Sequence, residues 1–260
     1  MARSFGRVCW HSEIEDSKPG ETGMYEASQG HTSQNRLLAA LPGGEIERLA
    51  PHWELVVLCR KKVLYDAGEE VRYAYFLTGG MVSLLSVTSE DEAIEASAIG
   101  REGMVGIPSV LPDKRAPLRT SVQVSGSALR IESGALAREF NHCERLRHLL
   151  LGYTHTLLMQ IAQLIACNRY HTTEERLCRW LLMTRDRVRT ISFDLTHEEI
   201  SYMLGTPRSG ITSAAVVLQD AGLIRYRRGR IRILDGERLV ARSCACYGAI
   251  KESDERFLPD

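Results

Sequence analysis

Leu195-Thr196-His197-Glu198-Glu199-Ile200-Ser201-Tyr202-Met203-Leu204-Gly205-Thr206-Pro207-Arg208-Ser209-Gly210-Ile211-Thr212 spells two short helices joined by a tight glycine turn. Thr196 is placed to cap the first helix, and Glu199, three residues on, to reach back to the Thr196 amide, the reciprocal pattern of a capping box. Ile200, Met203 and Leu204 give an apolar face at helical spacing, and Gly205 falls where a helix ends with positive φ. Thr206 is expected to cap the second helix, with Pro207 at its first position, where a missing amide hydrogen costs nothing. Ile211, Ala214, Ala215 and Leu218 then pack on the first helix and leave Arg208, Ser209, Thr212, Ser213 and Gln219 toward solvent. Two helices so joined form a helix-turn-helix, whose second helix fits the major groove of double-stranded DNA.

Working outward, Leu223-Ile224-Arg225-Tyr226-Arg227-Arg228-Gly229-Arg230-Ile231-Arg232-Ile233-Leu234 alternates charged and apolar residues around an Arg228-Gly229 turn, the pattern of a two-stranded ribbon with one basic face. The candidate DNA contacts are therefore Thr196 and Thr206 at the helix starts, Arg208, Ser209, Thr212 and Ser213 on the second helix, and Arg227, Arg228 and Arg230 on the wing. Arg208 is the leading base reader, because a forked guanidinium bonds both acceptors of guanine. Gly210 sits in a helix at a cost of roughly 1 kcal/mol against alanine, either because the duplex approaches closely or because the position is tolerated. Residues 171–234 carry 11 Lys and Arg against 7 Asp and Glu, whereas the whole chain balances at 33 against 33. Positive charge is concentrated where the motif requires it.

At 260 residues, with 44% hydrophobic and 25% charged, the chain accommodates two ordinary domains. No uninterrupted apolar run of membrane-spanning length occurs, so no membrane partner is expected, and the N-terminus lacks the apolar stretch of a signal peptide, so a cytoplasmic location is expected. The seven cysteines, at 9, 59, 143, 167, 178, 244 and 246, are irregularly spaced and read as buried thiols. Cys244-Ala245-Cys246 places two thiols where they could respond to oxidation or hold a metal with help from elsewhere; alone they make no site, and no metal site is assigned.

Residues 1–34 are rich in Ser, Gly, Glu, Thr and His and read as a mobile tail. Residues 35–140 open with a short helical lead-in interrupted at Pro42-Gly43-Gly44. They continue as short segments (Leu55-Val56-Val57-Leu58, Tyr73-Ala74-Tyr75-Phe76-Leu77, Met81 to Val87, Ser121-Val122-Gln123-Val124) between glycine or acidic turns, which predicts a β-sandwich or jelly roll. Residues 141–170 switch to helical period. Leu146, Leu150, Tyr153, Leu157, Ile161, Leu164 and Asn168 form one stripe of a long helix, which either packs on its own barrel or pairs with the same helix of a second chain. Two recognition helices one duplex turn apart favour pairing, so Leu146, Leu150, Tyr153, Leu157, Ile161 and Leu164 are the candidate dimer contacts. Residues 171–236 form the winged helix-turn-helix domain and 237–260 a C-terminal extension. The fold class is α+β.

Barrel, linking helix and winged helix-turn-helix in that order, with Tyr65-Asp66-Ala67-Gly68-Glu69, Tyr75-Phe76-Leu77-Thr78-Gly79-Gly80 and the Thr196–Leu234 block, make the chain resemble the catabolite-activator/Fnr (Crp/Fnr) family of bacterial transcription regulators. The resemblance covers about residues 36 to 236 and implies a cyclic-nucleotide-binding-type jelly roll, a homodimer joined through the long helix, DNA contact through the second motif helix, and RNA polymerase as a partner. Arg208, Ser209 and Ser213 match the family's base-reading places; serines stand at the last two, where the family's activator often has a glutamate and an arginine, so a different operator is expected.

In the family's cyclic-nucleotide binders a glutamate holds the ribose hydroxyl and an arginine the cyclic phosphate. The corresponding stretch here is Gly103-Met104-Val105-Gly106-Ile107-Pro108, with Ile107 in the glutamate's place, followed by Arg115 or Arg119-Thr120. An isoleucine accepts no hydrogen bond, so a hydroxyl buried against it would go unpaired at about 1 to 3 kcal/mol. The sequence thus argues against cyclic AMP as cofactor, while Gly106, Arg115, Arg119 and Thr120 remain the candidate ligand contacts. An iron-sulfur cluster of the Fnr kind is not expected, because the N-terminus offers only Cys9. No histidine occurs between Trp53 and Asn141 to make a metal-dependent barrel enzyme, and no catalytic nucleophile and base are visible. A sequence-specific transcription regulator is the leading reading. The alternative is a nucleotide or small-ligand sensor whose winged helix contacts protein rather than DNA.

Overall fold

Helix α1 (Arg36–Ala39) is held in place by the residue that starts it. The buried Asn35 side chain accepts from the Leu38 amide and donates to the carbonyls of Leu77 and Gly103 at 2.9 and 2.8 Å, fastening the lead-in to the barrel. The structure is a computed structural model describing residues 30–258 except 91; most of the tail anticipated over 1–34, with Cys9, lies outside the described residues. Helix α2 (Gly43–Leu49) begins after Pro42, at the interruption expected there.

Eight strands follow: β1 (Glu54–Leu58), β2 (Val63–Tyr65), β3 (Tyr73–Leu77), β4 (Met81–Val87), β5 (Ala93–Ile99), β6 (Met104–Val105), β7 (Arg119–Val124) and β8 (Gly126–Glu132). They form two antiparallel four-stranded sheets, ordered β1-β8-β3-β6 and β2-β7-β4-β5, which face each other as a jelly roll. Leu58, Tyr75, Leu77, Val82, Ile99, Val105, Val122 and Ala128 fill the space between them. Gly126 is required by close approach: a Cβ there would lie 2.2 Å from the backbone of Gly79. Strand β5 was the hardest to see in sequence, because it buries Glu95 and Ser97 where alternation calls for apolar residues.

Helix α3 (Ser133–His142) leads into the long helix α4 (Glu144–Tyr170), whose first amides, at Arg145 and Leu146, donate to the Glu45 carboxylate of α2 at 3.2 and 2.8 Å. The structure corrects the face assigned to dimerisation. Leu146, Leu150 and Tyr153 are buried in their own chain against Trp53, Phe76 and Leu136, and Leu164 is buried against the C-terminal domain. The stripe is apolar because the barrel covers it; Leu157 and Ile161 are partly covered. The face left open carries Leu151, Leu158, Met159 and Ile165, which are 52%, 61%, 49% and 68% exposed. By length and composition α4 is also apolar enough to cross a membrane, although dispersed polar residues interrupt its apolar run; here one side packs on the barrel and the C-terminal helices.

Helix α5 (Thr173–Val188) starts with a capping box between Thr172 and Glu175. Next come β9 (Ser192–Asp194), α6 (His197–Leu204), α7 (Arg208–Asp220), β10 (Ile224–Arg227) and β11 (Arg230–Ile233), then α8 (Gly236–Arg242) and α9 (Cys246–Phe257). The wing sheet is ordered β10-β11-β9, so the expected two-stranded ribbon gains a third strand. Helix α8 packs on α5 and α9 on α4, so the residues read as an extension are part of the core. That core is shared between domains: Met81, Leu85 and Ala98 of the barrel join Trp180, Leu181, Ile200, Met203 and Leu218.

Candidate nucleic-acid interface

Helix α6 begins as the sequence predicts. The Thr196 hydroxyl accepts from the Glu199 amide at 3.2 Å, and the Glu199 carboxylate accepts from the Thr196 amide at 2.8 Å. The same carboxylate receives Arg60 from the barrel. Burial opposes its ionisation, but the Thr196 amide, Arg60 and the Thr196 hydroxyl outweigh that and pull its pKa down to about 2. Gly205 closes the helix at φ 53°, and a Cβ there would also crowd Ile94 of β5 at 2.9 Å. Thr196 therefore works as a cap, and its partner Glu199 links the helix to the barrel.

The second helix departs from expectation at its start. Pro207 rather than Thr206 is the N-cap, and no side chain caps α7. The Thr206 hydroxyl instead donates to the Leu204 carbonyl and accepts from Arg176 of α5, at 3.2 Å each, contacts that turn it away from the α7 amides. The amides of the first turn of α7 are thus free of side-chain caps. Ile211, Ala214, Ala215 and Leu218 are buried, and Arg208, Ser209, Thr212, Ser213 and Gln219 are exposed, as the periodicity requires. At Gly210 a Cβ would stand 3.2 Å from the Thr206 methyl, a close contact within its own chain.

Beyond Thr196 and Thr206, three more of the candidate contacts have internal partners. The Thr212 hydroxyl donates to the Arg208 carbonyl at 3.0 Å and meets His197 Nδ1 at 3.0 Å. Arg208 stands 3.7 Å from Glu198 in an exposed ion pair, a contact of small energy that a better anion displaces. Arg230 is paired with both oxygens of Asp194 at 2.6 and 3.1 Å. Sequence reasoning missed His197, whose ring stacks on Tyr226 of the wing at 4.0 Å. Burial, reinforced by the charge of Arg208, lowers its pKa. One imidazole thus joins α6, α7 and the wing; its signal lay in contacts across elements, not in local spacing.

The wing turns at Arg228 and Gly229, with φ of 51° and 78°, the two positive angles of a type I′ hairpin. Ile224, Ile231 and Ile233 face inward; Arg225, Arg227, Arg230 and Arg232 face outward with Arg228 at the tip. Arg225 lies opposite Arg232, and Arg227 opposite Arg230. Among the described residues no carboxylate pairs with Arg225, Arg227, Arg228 or Arg232.

The candidate ligand contacts do not converge. Gly106 and Thr120 line a cavity of about 240 Å³ between the barrel and α4, with Tyr65, Met104, Ile107, Leu157, Leu158 and Ile161. Thr120 faces in, so its neighbour Arg119 faces out and pairs with Asp66 at 2.5 Å. Arg115 is exposed on a loop that bridges to Glu70. The cavity's hydroxyls are engaged: Tyr65 donates to the Tyr73 carbonyl, Thr120 to Leu118 and Thr154 to Leu150. A cyclic phosphate would find no cation there, so these residues do not fit a cyclic nucleotide.

Jelly roll, long helix and docked winged helix-turn-helix define a transcription-regulator fold of the Crp/Fnr type. Residues 175–242 match the Crp-like helix-turn-helix domain, and the whole architecture has the fold of Crp/Fnr regulators. A putative Crp/Fnr-family transcriptional regulator from Eubacterium rectale superposes with TM-score 0.64 at 16% identity, over 81% of this chain and 98% of that one. FixK2 from Bradyrhizobium japonicum gives 0.64 at 16%, over 74% and 98%. The c-di-GMP-responsive global regulator CLP of Xanthomonas campestris gives 0.61 at 14%, over 74% and 99%. No curated protein matches at the level of sequence.

Proposed function

We propose that the protein is a dimeric transcription regulator that binds a partly palindromic DNA operator through α7 and the wing, under control of a signal at the jelly roll. The wing carries this reading. Its outward face sets Arg225 opposite Arg232 and Arg227 opposite Arg230, with Arg228 at the tip. Like charges directly opposite each other destabilise a ribbon; Asp194 offsets Arg230 alone, and a phosphate backbone supplies the countercharge for Arg225, Arg227, Arg228 and Arg232. Arg208, Ser209 and Ser213 lie open on the adjoining face of α7.

A second chain would pair along the open face of α4, through Leu151, Leu158 and Ile165, at heptad spacing. Leu158 also lines the barrel cavity, so a ligand there would touch the dimer helix and favour one arrangement of the two recognition helices. The lining suits an apolar signal better than a nucleotide. This reading carries with it contact with RNA polymerase and a cytoplasmic location. Binding of duplex DNA measured from low to high salt tests it. The expected result is affinity that falls steeply as salt rises; salt-independent binding would instead support a wing that contacts protein.

A further inference from the structure

The fold completes a group of thiols that the sequence leaves at two. Cys244 and Cys246 flank the start of α9, and Cys167, in the last turns of α4, joins them. The three Sγ atoms are buried and lie within 4.8 Å of one another, with Cys167 and Cys244 3.5 Å apart. All three are free cysteines. Metal–sulfur bonds of about 2.3 Å would separate the sulfurs by roughly 3.8 Å around a tetrahedral ion and roughly 4.0 Å around a trigonal one. The cluster is therefore at ligating distance without rearrangement of the backbone. No histidine, aspartate or glutamate among the described residues joins it; its polar neighbours are Gln163, whose amide meets Cys246 Sγ at 3.1 Å, and Arg179, which reaches Cys167.

A second observation concerns charge. Arg176 and Arg179 of α5 are 7% and 2% exposed, and the Nε of each has no hydrogen-bond partner. Arg179 donates to Met183 Sδ at 3.2 Å; Arg176 is held by the Leu204 carbonyl and the Thr206 hydroxyl. Neither forms an ion pair among the described residues. The acid whose charge reaches Arg179, Glu95, is itself held by Ser83 and Trp180. Arg179 acts on Cys167 through its charge and a hydrogen bond, and Arg176 acts electrostatically on Cys167 and Cys244. Two buried cations with no ion-pair partner thus stand beside the thiols. Three thiolates around a monovalent cation carry two net negative charges and offset both.

We propose that Cys167, Cys244 and Cys246 form a three-thiolate site for a soft cation, Cu(I) in trigonal coordination. The thiol protons pass to solvent as the three metal–sulfur bonds form, with no change of oxidation state. Soft thiolates select Cu(I) and zinc; a zinc site would take a fourth ligand that the group lacks. The bound ion would tie the end of α4 to the start of α9 beside α5, which leads into the helix-turn-helix. The proposal does not depend on DNA binding, because its readouts are those of the metal.

Anaerobic titration of the reduced full-length protein with bicinchoninate-buffered Cu(I) tests it. One equivalent per chain is expected, with a near-ultraviolet thiolate-to-copper charge-transfer band. Cys167→Ser and Cys246→Ser should each abolish that band, whereas Cys178→Ser, a buried thiol outside the group, should retain it. X-ray absorption at the copper edge of the unsubstituted protein keeps the test independent of variant folding. A shell of three sulfurs supports the site; a nitrogen or oxygen shell, or no retained copper, overturns it. Retention of one equivalent of Zn(II) and no Cu(I) in a parallel titration overturns the copper assignment.

Discussion

His197 makes its contacts in three directions, to the Thr212 hydroxyl, the face of Tyr226 and the field of Arg208. Burial and Arg208 both oppose a charge on the ring, so its pKa in the folded protein lies below the ordinary 6.5. The unfolded chain then binds the proton more readily. The contribution of His197 to stability is full above that ordinary value and is lost as pH falls toward the folded one. Urea unfolding across this range should show declining stability in the unsubstituted protein and a flatter profile in His197→Gln; equal slopes would refute the assignment. Arg208→Ala should weaken specific sites by roughly 1 to 3 kcal/mol while Arg228→Ala lowers binding evenly across sequences. Competition between specific and random duplexes distinguishes them, and equal losses for Arg208→Ala would reject its role as a base reader. The exposed position of Arg208 was legible from helix period alone. His197 was not, because stacking on Tyr226 depends on how the wing folds back over α6.

Helix α4 shows where sequence reading succeeds and where it stops. Its length and its apolar stripe were legible, yet the stripe through Leu146, Leu150, Tyr153 and Leu164 turned inward, because periodicity marks a covered face without saying what covers it. The open face instead carries Leu151, Leu158 and Ile165. Leu158→Asp combined with Ile165→Asp should leave a folded chain that sediments as a monomer, whereas Leu150→Asp should lose the fold itself. A dimer that survives the double substitution would move the interface elsewhere. Strand β5 was obscured for a related reason: Glu95 is buried because Trp180 of the C-terminal domain covers and hydrogen-bonds it, and Ser97 is buried beside it. Local caps, by contrast, were read correctly at Thr196 and Glu199, since both partners lie within one turn. At Thr206 the hydroxyl was drawn to Arg176 of another helix.

The two domains are held together by buried polar contacts as well as apolar ones. Trp180 Nε1 donates to Glu95 at 3.0 Å, and Arg187, almost fully buried, donates to the Ala98 carbonyl at 3.0 Å and pairs with Glu102 at 3.0 Å. Trp180→Phe keeps the packing but leaves a buried carboxylate with one donor fewer, at a cost of about 1 to 3 kcal/mol. Hydrogen exchange should then quicken in β5 and α5 together; quickening in α5 alone would mean that the contact does not couple the domains. Through this docking, and through an α4 that touches both cavity and open face, a signal at the jelly roll could reach α7. The central claim is that α7 and the wing read duplex DNA as a pair. Sequencing the duplexes that the purified protein retains from a random pool at low salt tests it most directly. The account predicts an enriched, two-fold-symmetric motif with half-sites about one duplex turn apart; a retained pool with no enriched sequence would contradict it.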